Sequence, residues 1–167
     1  LVIGTLTTTD SDQTAGVKPT YALAKLAGSD HAAFTINQAT GELSLKEQPD
    51  YETKASYSVT ILSTDEGGKT FSKTFTIGVT DANDAPTGAV TISGTATQGQ
   101  VLTAVSTLAD ADGLGSLSYQ WKADSVAISG ATSNTLTLGQ SQVGKAITVA
   151  VSYTDGGGTV ETEVSSA

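Results

Sequence analysis

Residues 70–86 read TFSKTFTIGVTDANDAP, a strand-like run followed by an acidic segment that ends in proline. In the first part, Phe71, Phe75, Ile77 and Val79 occupy alternate positions. A period of two residues is the pattern of a β-strand with one buried face. We therefore expect these four side chains to face a hydrophobic core, and the acidic segment to end the strand.

The same alternation, divided by glycine, asparagine and aspartate turns, continues on both sides of this stretch. It predicts strands near residues 2–9, 20–25, 33–37, 42–46, 56–64, 70–80, 89–93, 100–108, 116–122, 125–128, 134–138, 146–154 and 159–165. Helical signals are weak, with one short turn expected at 139–145. We predict an all-β chain of two tandem Greek-key β-sandwiches joined end to end, with domains at 1–86 and 87–167.

Composition excludes several classes of function. The chain has 167 residues, no cysteine and a formal net charge of −9, and all eight of its basic residues are lysines. A disulfide framework, a thiol nucleophile and a zinc–thiolate site are therefore ruled out. The acidic balance also argues against binding to nucleic acid or to an anionic membrane surface. No apolar run approaches the ~18 residues of a transmembrane helix.

Pairs of acidic residues two positions apart recur along the chain: Asp10/Asp12, Asp50/Glu52 and Asp110/Asp112. On an extended segment such side chains point to the same side, where like charges repel unless a cation or proton lies between them. They are either turn-forming residues or cation ligands. For the second role calcium is the natural partner because it takes 6–8 oxygen ligands, whereas zinc favours histidine and cysteine.

The order of motifs in residues 1–86 resembles a bacterial cadherin-like repeat. The matching pieces are AFTINQATGELSL, PDYE, YSVTILSTDEGG and VTDANDAP, in that order. The resemblance implies calcium at the junction with the next domain. It assigns ligand roles to Asp50 and Glu52, to the side chains of Asn83 and Asp84, and to the main-chain carbonyls of Ala82 and Ala85; Asp81 would orient the turn. The next domain would complete the interdomain site with Asp110, Asp112 and Asp155.

By the same resemblance, Asp10, Asp12 and Asp65 would serve an outer, incomplete site at the other end of the first domain. A cadherin repeat begins with a strand that carries a ligand glutamate, and this sequence starts after that point. We therefore expect the first strand to be missing, and one to three calcium ions at the junction.

Residues 87–167 resemble the immunoglobulin-like repeats of large Gram-negative RTX-type surface adhesins. The stretch that carries the resemblance begins LSYQWKADSVAISG and continues to VGKAITVAVSYTDGGG. It implies that Trp121 is the core tryptophan of the third strand, with Leu136 and Leu138 as an inward pair. Trp121 as a carbohydrate platform is the less favoured interpretation. Such repeats occur in long tandem arrays that are secreted to the bacterial surface.

Three other features have simple structural interpretations. His31 follows Ser29 and Asp30, but adjacent residues cannot form a catalytic triad. The glycine-rich runs at 65–69 and 155–158 lack the helix and Gly-Lys-Ser/Thr ending of a phosphate loop, so we interpret them as hairpin turns. No nucleophile–base set or cofactor motif indicates an enzyme.

We therefore expect a calcium-rigidified extracellular spacer of a large bacterial adhesin, secreted by a type I system and active in adhesion and biofilms. Its partners would be neighbouring domains of the same long chain and, in addition, cell-surface or matrix ligands. We expect a monomer that binds no nucleic acid and inserts into no membrane. The alternative is a module that binds a carbohydrate or protein ligand at the cell surface.

Overall fold

A computed structural model describes residues 1–9, 11, 14 and 17–167. The chain divides into two compact units, Leu1–Ala82 and Asn83–Ala167. Both units are built from strands, with only two single-turn 3-10 helices among the described residues. The prediction of an all-β fold is confirmed. No helix in this part of the chain has the length and apolar character needed to cross a bilayer.

The described residues form thirteen strands, each close to a predicted one. They are β1 (Val2–Thr5), β2 (Thr20–Leu23), β3 (Phe34–Ile36), β4 (Glu42–Leu45), β5 (Ser56–Thr64), β6 (Thr70–Gly78), β7 (Val90–Ser93), β8 (Val101–Ser106), β9 (Ser118–Ala123), β10 (Val126–Ala127), β11 (Thr135–Thr137), β12 (Ile147–Thr154) and β13 (Val160–Val164). The 3-10 helix Gln140–Gln142 lies in the predicted turn, and His31–Ala33 forms a second one that the pattern missed.

The first unit contains two three-stranded antiparallel sheets, in the orders β1-β4-β3 and β2-β5-β6. Its core takes buried side chains from both sheets, which identifies the unit as a two-layer sandwich. Those side chains are Tyr21, Phe34, Leu43, Leu45, Val59 and Ile61.

The expectation that Phe71, Phe75, Ile77 and Val79 all pack into a core is wrong for Phe71, which is 64% exposed. Phe75 and Ile77 do pack against the core, and Val79 is half-buried beyond the strand end. Phe71 is paired with Ser63 of β5, so it lies on the inner side of the sheet. Since β6 is an edge strand, it has a neighbour on one side only, and this end of its inner face stays open.

The second unit pairs a four-stranded sheet, β10-β9-β12-β13, with a three-stranded sheet, β11-β8-β7. Trp121 in β9 is fully buried opposite Val149 of β12, and its indole Nε1 donates to the carbonyl of Ser133 at 2.9 Å. Leu136 and Leu138 are also buried in this core. The predictions that these three side chains face inward are confirmed.

Candidate functional site

The loop after β8 presents two of the predicted carboxylates. Asp110 Oδ1 accepts a 2.9 Å hydrogen bond from the amide of Asp112, and the carbonyl of Asp110 accepts the amide of Gly113. Gly113 has a φ of +98°, which favours glycine at the end of this tight turn. The chain pattern Asp-Ala-Asp-Gly thus forms a local turn that holds both carboxylates, as aspartate turns do.

The turn after β12 holds a third carboxylate, that of Asp155. Its Oδ1 accepts the amide of Thr159 at 2.7 Å, and its backbone amide donates to the carbonyl of the same residue at 2.9 Å. Asp155 is only 7% exposed, and its Oδ2 is buried with no hydrogen-bond partner among the described residues. A buried carboxylate oxygen without a donor is costly unless another positive group satisfies it.

These two loops are joined directly. The amide of Gly156 donates to the carbonyl of Asp112 at 3.0 Å. A β-carbon added to Gly156 would lie 2.4 Å from that carbonyl oxygen, so only glycine permits the approach. The hydroxyl of Tyr153, two residues before Asp155, donates to Oδ2 of Asp110. The second unit therefore brings Asp110, Asp112 and Asp155 together through its own contacts.

The segment at residues 83–86 adds to this arrangement. The amide of Asp84 donates to Oδ2 of Asp112 at 2.6 Å, and carboxylate oxygens of Asp84 and Asp112 lie within 4.8 Å of each other. Asn83 Nδ2 donates to the carbonyl of Asp84 at 3.2 Å and to Oε1 of Glu161 in β13 at 3.0 Å. Ala85 and Pro86 follow Asp84, and Thr87 then pairs with Ala109 in a β-bridge.

The pKa of the Tyr153 hydroxyl is affected by the negative charge of the carboxylates in the second unit. Burial raises the pKa of the Tyr153 hydroxyl, and the hydrogen bond to Asp110 raises this pKa further because it requires the protonated phenol. The charges of Asp110, Glu161 and Asp155 act in the same direction. Negative charge from three carboxylates therefore acts on this buried phenol.

This donor set fits a hard divalent cation. Carboxylate and carboxamide oxygens at Asn83, Asp84, Asp112 and Asp155 are the ligand types that Ca²⁺ takes, and the unpartnered Oδ2 of Asp155 needs a positive partner. Asp110 is already bonded through both oxygens, Oδ1 by Asp112 and Oδ2 by Tyr153, so it contributes by charge or by a remaining lone pair. Oxygen-only ligands do not suit zinc.

In the first unit, Asp50 and Glu52 lie in an exposed turn at residues 50–54. Asp50 Oδ1 accepts the amide of Thr53 at 3.1 Å, and Oδ2 accepts the Thr53 hydroxyl at 2.8 Å. These bonds hold the pKa of the Asp50 carboxyl below its ordinary value. Glu52 is exposed in the same turn. The local role of Asp50 is therefore that of a turn-forming residue, and its carboxylate is ionised at neutral pH.

The predicted outer site is placed only in part, since Asp10 and Asp12 lie outside the described residues. Asp65 directly follows β5; its Oδ1 accepts the amide of Lys69 at 2.7 Å, and its amide donates to the carbonyl of Lys69. Asp155 makes the same two contacts with Thr159 in the second unit. The repeated sequence pattern of a strand, Asp and glycines thus produces the same five-residue turn twice.

Two residues of the second-unit cluster were missed by sequence reasoning. Tyr153 and Glu161 belong to strands and match no ligand motif. The register places them opposite each other on β12 and β13. The only sequence signal was the alternation Val-Glu-Thr-Glu-Val in β13, which puts glutamates where apolar residues are expected.

Comparisons with known proteins support the identity of the first unit. The sequence model of the Cadherin domain family matches residues 2–80, which confirms the predicted cadherin resemblance of this part of the chain. Protocadherin gamma-A10 from chimpanzee (Pan troglodytes) is 36% identical over 80 residues, and the human (Homo sapiens) protein is 35% identical. The match covers 48% of this chain and 8% of each relative, so the chain spans a small part of their length.

Solved structures show the fold. The crystal structure of human protocadherin-24 EC1-2 is similar with a TM-score of 0.50 and 22% identity, covering 87% of this chain and 76% of that one. The protocadherin gammaB7 EC3-6 cis-dimer structure has a TM-score of 0.52 and 17% identity, covering 99% of this chain and 43% of that one. Both comparisons support the β-sandwich architecture.

Proposed function

We propose that this chain is a calcium-stabilised, non-enzymatic segment of an extracellular adhesion protein, in which it acts as a spacer between other domains. Cadherin domains are typically extracellular adhesion modules that bind calcium, and residues 2–80 match that family. The observation that carries the proposal is Oδ2 of Asp155, a buried acceptor beside the Asp112 loop that receives no hydrogen bond from the residues that the structure describes. Calcium would supply the missing positive partner.

In this proposal the ion is held by Asn83, Asp84, Asp110, Asp112 and Asp155 of the second unit. Asp50 and Glu52 of the first unit, with the carbonyls of Ala82 and Ala85, would complete the ligand set for one to three ions. The ion would neutralise carboxylates that otherwise repel one another. Binding would therefore stiffen the segment between the units, and removal of calcium would let it flex.

We further propose that the second unit is an immunoglobulin-like repeat and that the parent protein is a large bacterial surface adhesin of the RTX type. The buried Trp121 in the third strand of its unit and the inward Leu136 and Leu138 support this identification. Neighbouring domains of the same long chain would then be the main partners. Calcium would bind after secretion, when its concentration rises, and so favour folding outside the cell by mass action.

The test uses the intact 167-residue chain. Thermal melts and small-angle scattering are recorded in calcium and then in chelator. Since Trp121 is the only tryptophan, its fluorescence follows the second unit alone. We expect calcium to raise the melting temperature and to narrow the distribution of maximum dimensions. Equal melting temperatures and equal dimensions in both conditions would overturn the spacer proposal.

A second candidate function is binding of an oligosaccharide, for which the first unit offers a specific observation. A cavity of about 490 Å³ is lined by the aromatic Tyr21, Phe71 and Phe75 and by polar groups such as Asp65 and Lys69. Of these aromatic side chains Phe71 is exposed, and an exposed aromatic face with nearby polar groups suits a sugar ring. Titration with oligosaccharides should then shift the NMR signals of these residues, and Phe71→Ser should abolish the shifts. Unchanged spectra across a glycan panel would reject this function.

A further inference from the structure

We propose that Glu161 is a positioning residue for the calcium site: it holds the side chain of Asn83 so that the carboxamide oxygen, and not the nitrogen, is directed to the cation. The inference rests on the proposed calcium function and adds a residue that no ligand motif indicates. The contact joins residues 78 apart in the chain, so it depends on the tertiary structure.

The position of Glu161 is fixed by the sheet. It lies in the edge strand β13, directly opposite the buried Tyr153 of β12. Side chains at such paired positions share one face of the sheet, so Glu161 lies on the inner side and is half-buried. The backbone pairing of β12 with β13 therefore sets where this carboxylate can reach.

The carboxamide of Asn83 has two hydrogen atoms on Nδ2 and an acceptor oxygen, Oδ1. One Nδ2 contact goes to the carbonyl of Asp84 at 3.2 Å, and the other goes to Oε1 of Glu161 at 3.0 Å. Both donor positions are thus engaged by acceptors on the protein. The oxygen remains available, and oxygen is the atom that Ca²⁺ binds.

Without Glu161 this orientation has weaker support. The Asp84 carbonyl bond is longer and lies one residue away, so it restricts the side chain less. A rotated carboxamide would direct its NH₂ group to the cation, which would add a repulsive partner in place of a ligand. Groups that orient ligands in this way commonly change metal affinity by about 10- to 100-fold.

A second observation at the same site points to a ligand, independently of the acidic cluster. Asp155 is more than nine-tenths buried, and its Oδ2 has no hydrogen-bond partner among the described residues. Glu161 lies opposite Tyr153, which precedes Asp155 by two residues along β12 and the turn that follows it. The segment carrying Asn83 is also fixed at Asp84 by Asp112.

The experiment measures calcium affinity by calorimetry for Glu161→Ala, Asn83→Ala and the double variant. Glu163→Ala is the matched control because Glu163 lies two residues further along the same face of β13. We expect Glu161→Ala to weaken binding about 10-fold and Glu163→Ala to leave it unchanged. In the Asn83→Ala background, removal of Glu161 should have little further effect, since the two act as a unit.

Two additional measurements separate positioning from other roles. Glu161→Gln keeps an acceptor for Asn83 Nδ2 and should recover most of the affinity, whereas a ligand acting by its charge would not be rescued. In metal-free protein, the side-chain amide signal of Asn83 should shift and exchange faster in Glu161→Ala. Trp121 fluorescence verifies that each variant is folded.

The outcomes are distinguishable. Failure of the wild-type chain to bind calcium would overturn the proposed function itself. Normal wild-type binding with equal affinities for Glu161→Ala and Glu163→Ala would overturn only the role of Glu161. Independent, additive losses in the double variant would also overturn it, because Glu161 would then act without Asn83.

Discussion

The backbone amide of Asp84 donates a 2.6 Å hydrogen bond to Oδ2 of Asp112, 28 residues later in the chain. This bond fixes the acidic segment at the start of the second unit to a loop of the same unit. It also brings two carboxylates within 4.8 Å of each other. Such an arrangement is favourable with a cation between the charges and unfavourable without one, which gives the following predictions their sign.

Asp155→Asn should have opposite effects with and without calcium. In chelator we expect a higher melting temperature than wild type, because a buried charge without a partner is removed. In calcium, the variant should lack the stabilisation that the wild type gains from binding the ion. At a calcium concentration 100 times Kd, this gain in unfolding free energy is about 2.7 kcal/mol. Melts followed by Trp121 fluorescence provide the measurement.

The control for that variant is Asp124→Asn, which removes one charge from a hairpin away from the cluster. Asp124 has a φ of 49°, a conformation that asparagine tolerates. It should respond to calcium as the wild type does. An Asp155→Asn chain that keeps the full calcium gain would contradict the assigned ligand role.

Gly156→Ala should weaken calcium binding without changing any charge. The added β-carbon would lie 2.4 Å from the carbonyl oxygen of Asp112, so the two loops must separate. We expect a loss of about 1–3 kcal/mol in unfolding free energy of the second unit, with a lower calcium affinity. Urea unfolding and calorimetry measure the two effects.

Gly157→Ala is the matched neighbour, because its β-carbon would meet the Asp155 carboxylate at ordinary distances, 3.4 Å from Oδ1 and 4.0 Å from Cγ. It should bind calcium nearly as the wild type does. Similar losses for Gly156→Ala and Gly157→Ala would indicate that loop flexibility, and not the approach of the two loops, is responsible.

Tyr153 predicts an alkaline limit to the stability of the second unit. Its pKa is raised in the folded state, so its contribution is complete below the unfolded pKa of about 10 and is lost as pH rises toward the folded pKa. The unfolding free energy of the second unit should therefore fall as the pH rises above about 10. Urea unfolding monitored by Trp121 across this range gives the slope.

Tyr153→Phe removes both the phenol and its bond to Asp110. The variant should be less stable at neutral pH, yet its stability should depend less steeply on pH above 10. A slope equal to that of wild type would show that another group titrates.

Asp30 predicts an acid limit for the first unit. Its pKa is lowered by the Lys54 ammonium and by the amide of Ser58, which donates at 2.7 Å. Because this pKa is lower in the folded state, the ionised Asp30 carboxylate stabilises the unit at pH values above its unfolded pKa of about 3.9. This stabilisation is lost as the pH falls through the folded pKa. Circular dichroism during acid titration should show Asp30→Asn to be less stable at pH 7 and less sensitive below pH 4.

The exposed pair Lys145–Asp124, at 3.7 Å, is the comparison for Asp30–Lys54. Surface pairs of this kind contribute little, so Lys145→Gln should leave the acid profile unchanged. Equal effects of the two substitutions would contradict the specific role of Asp30.

Much of the fold was accessible from the sequence because strand pattern is local. The alternation in β5, β9 and β12 predicted their positions, and the repeated strand-Asp-Gly motif produced the same turn at Asp65 and Asp155. The prediction that Phe71 is buried was wrong because burial depends on whether an edge strand has a neighbour, and the alternation of residue types does not encode this.

Residue types and their order thus determined, from the sequence alone, that the chain is all-β and that its acidic motifs suit calcium. The tertiary structure decided which groups meet: Glu161 with Asn83, Tyr153 with Asp110, and Gly156 with Asp112. It also decided that Asp155 is buried, with one carboxylate oxygen that no described residue hydrogen-bonds. The physical reason is that strand and turn preferences arise between near neighbours in the chain, whereas these contacts depend on the register and packing of strands that are distant in sequence.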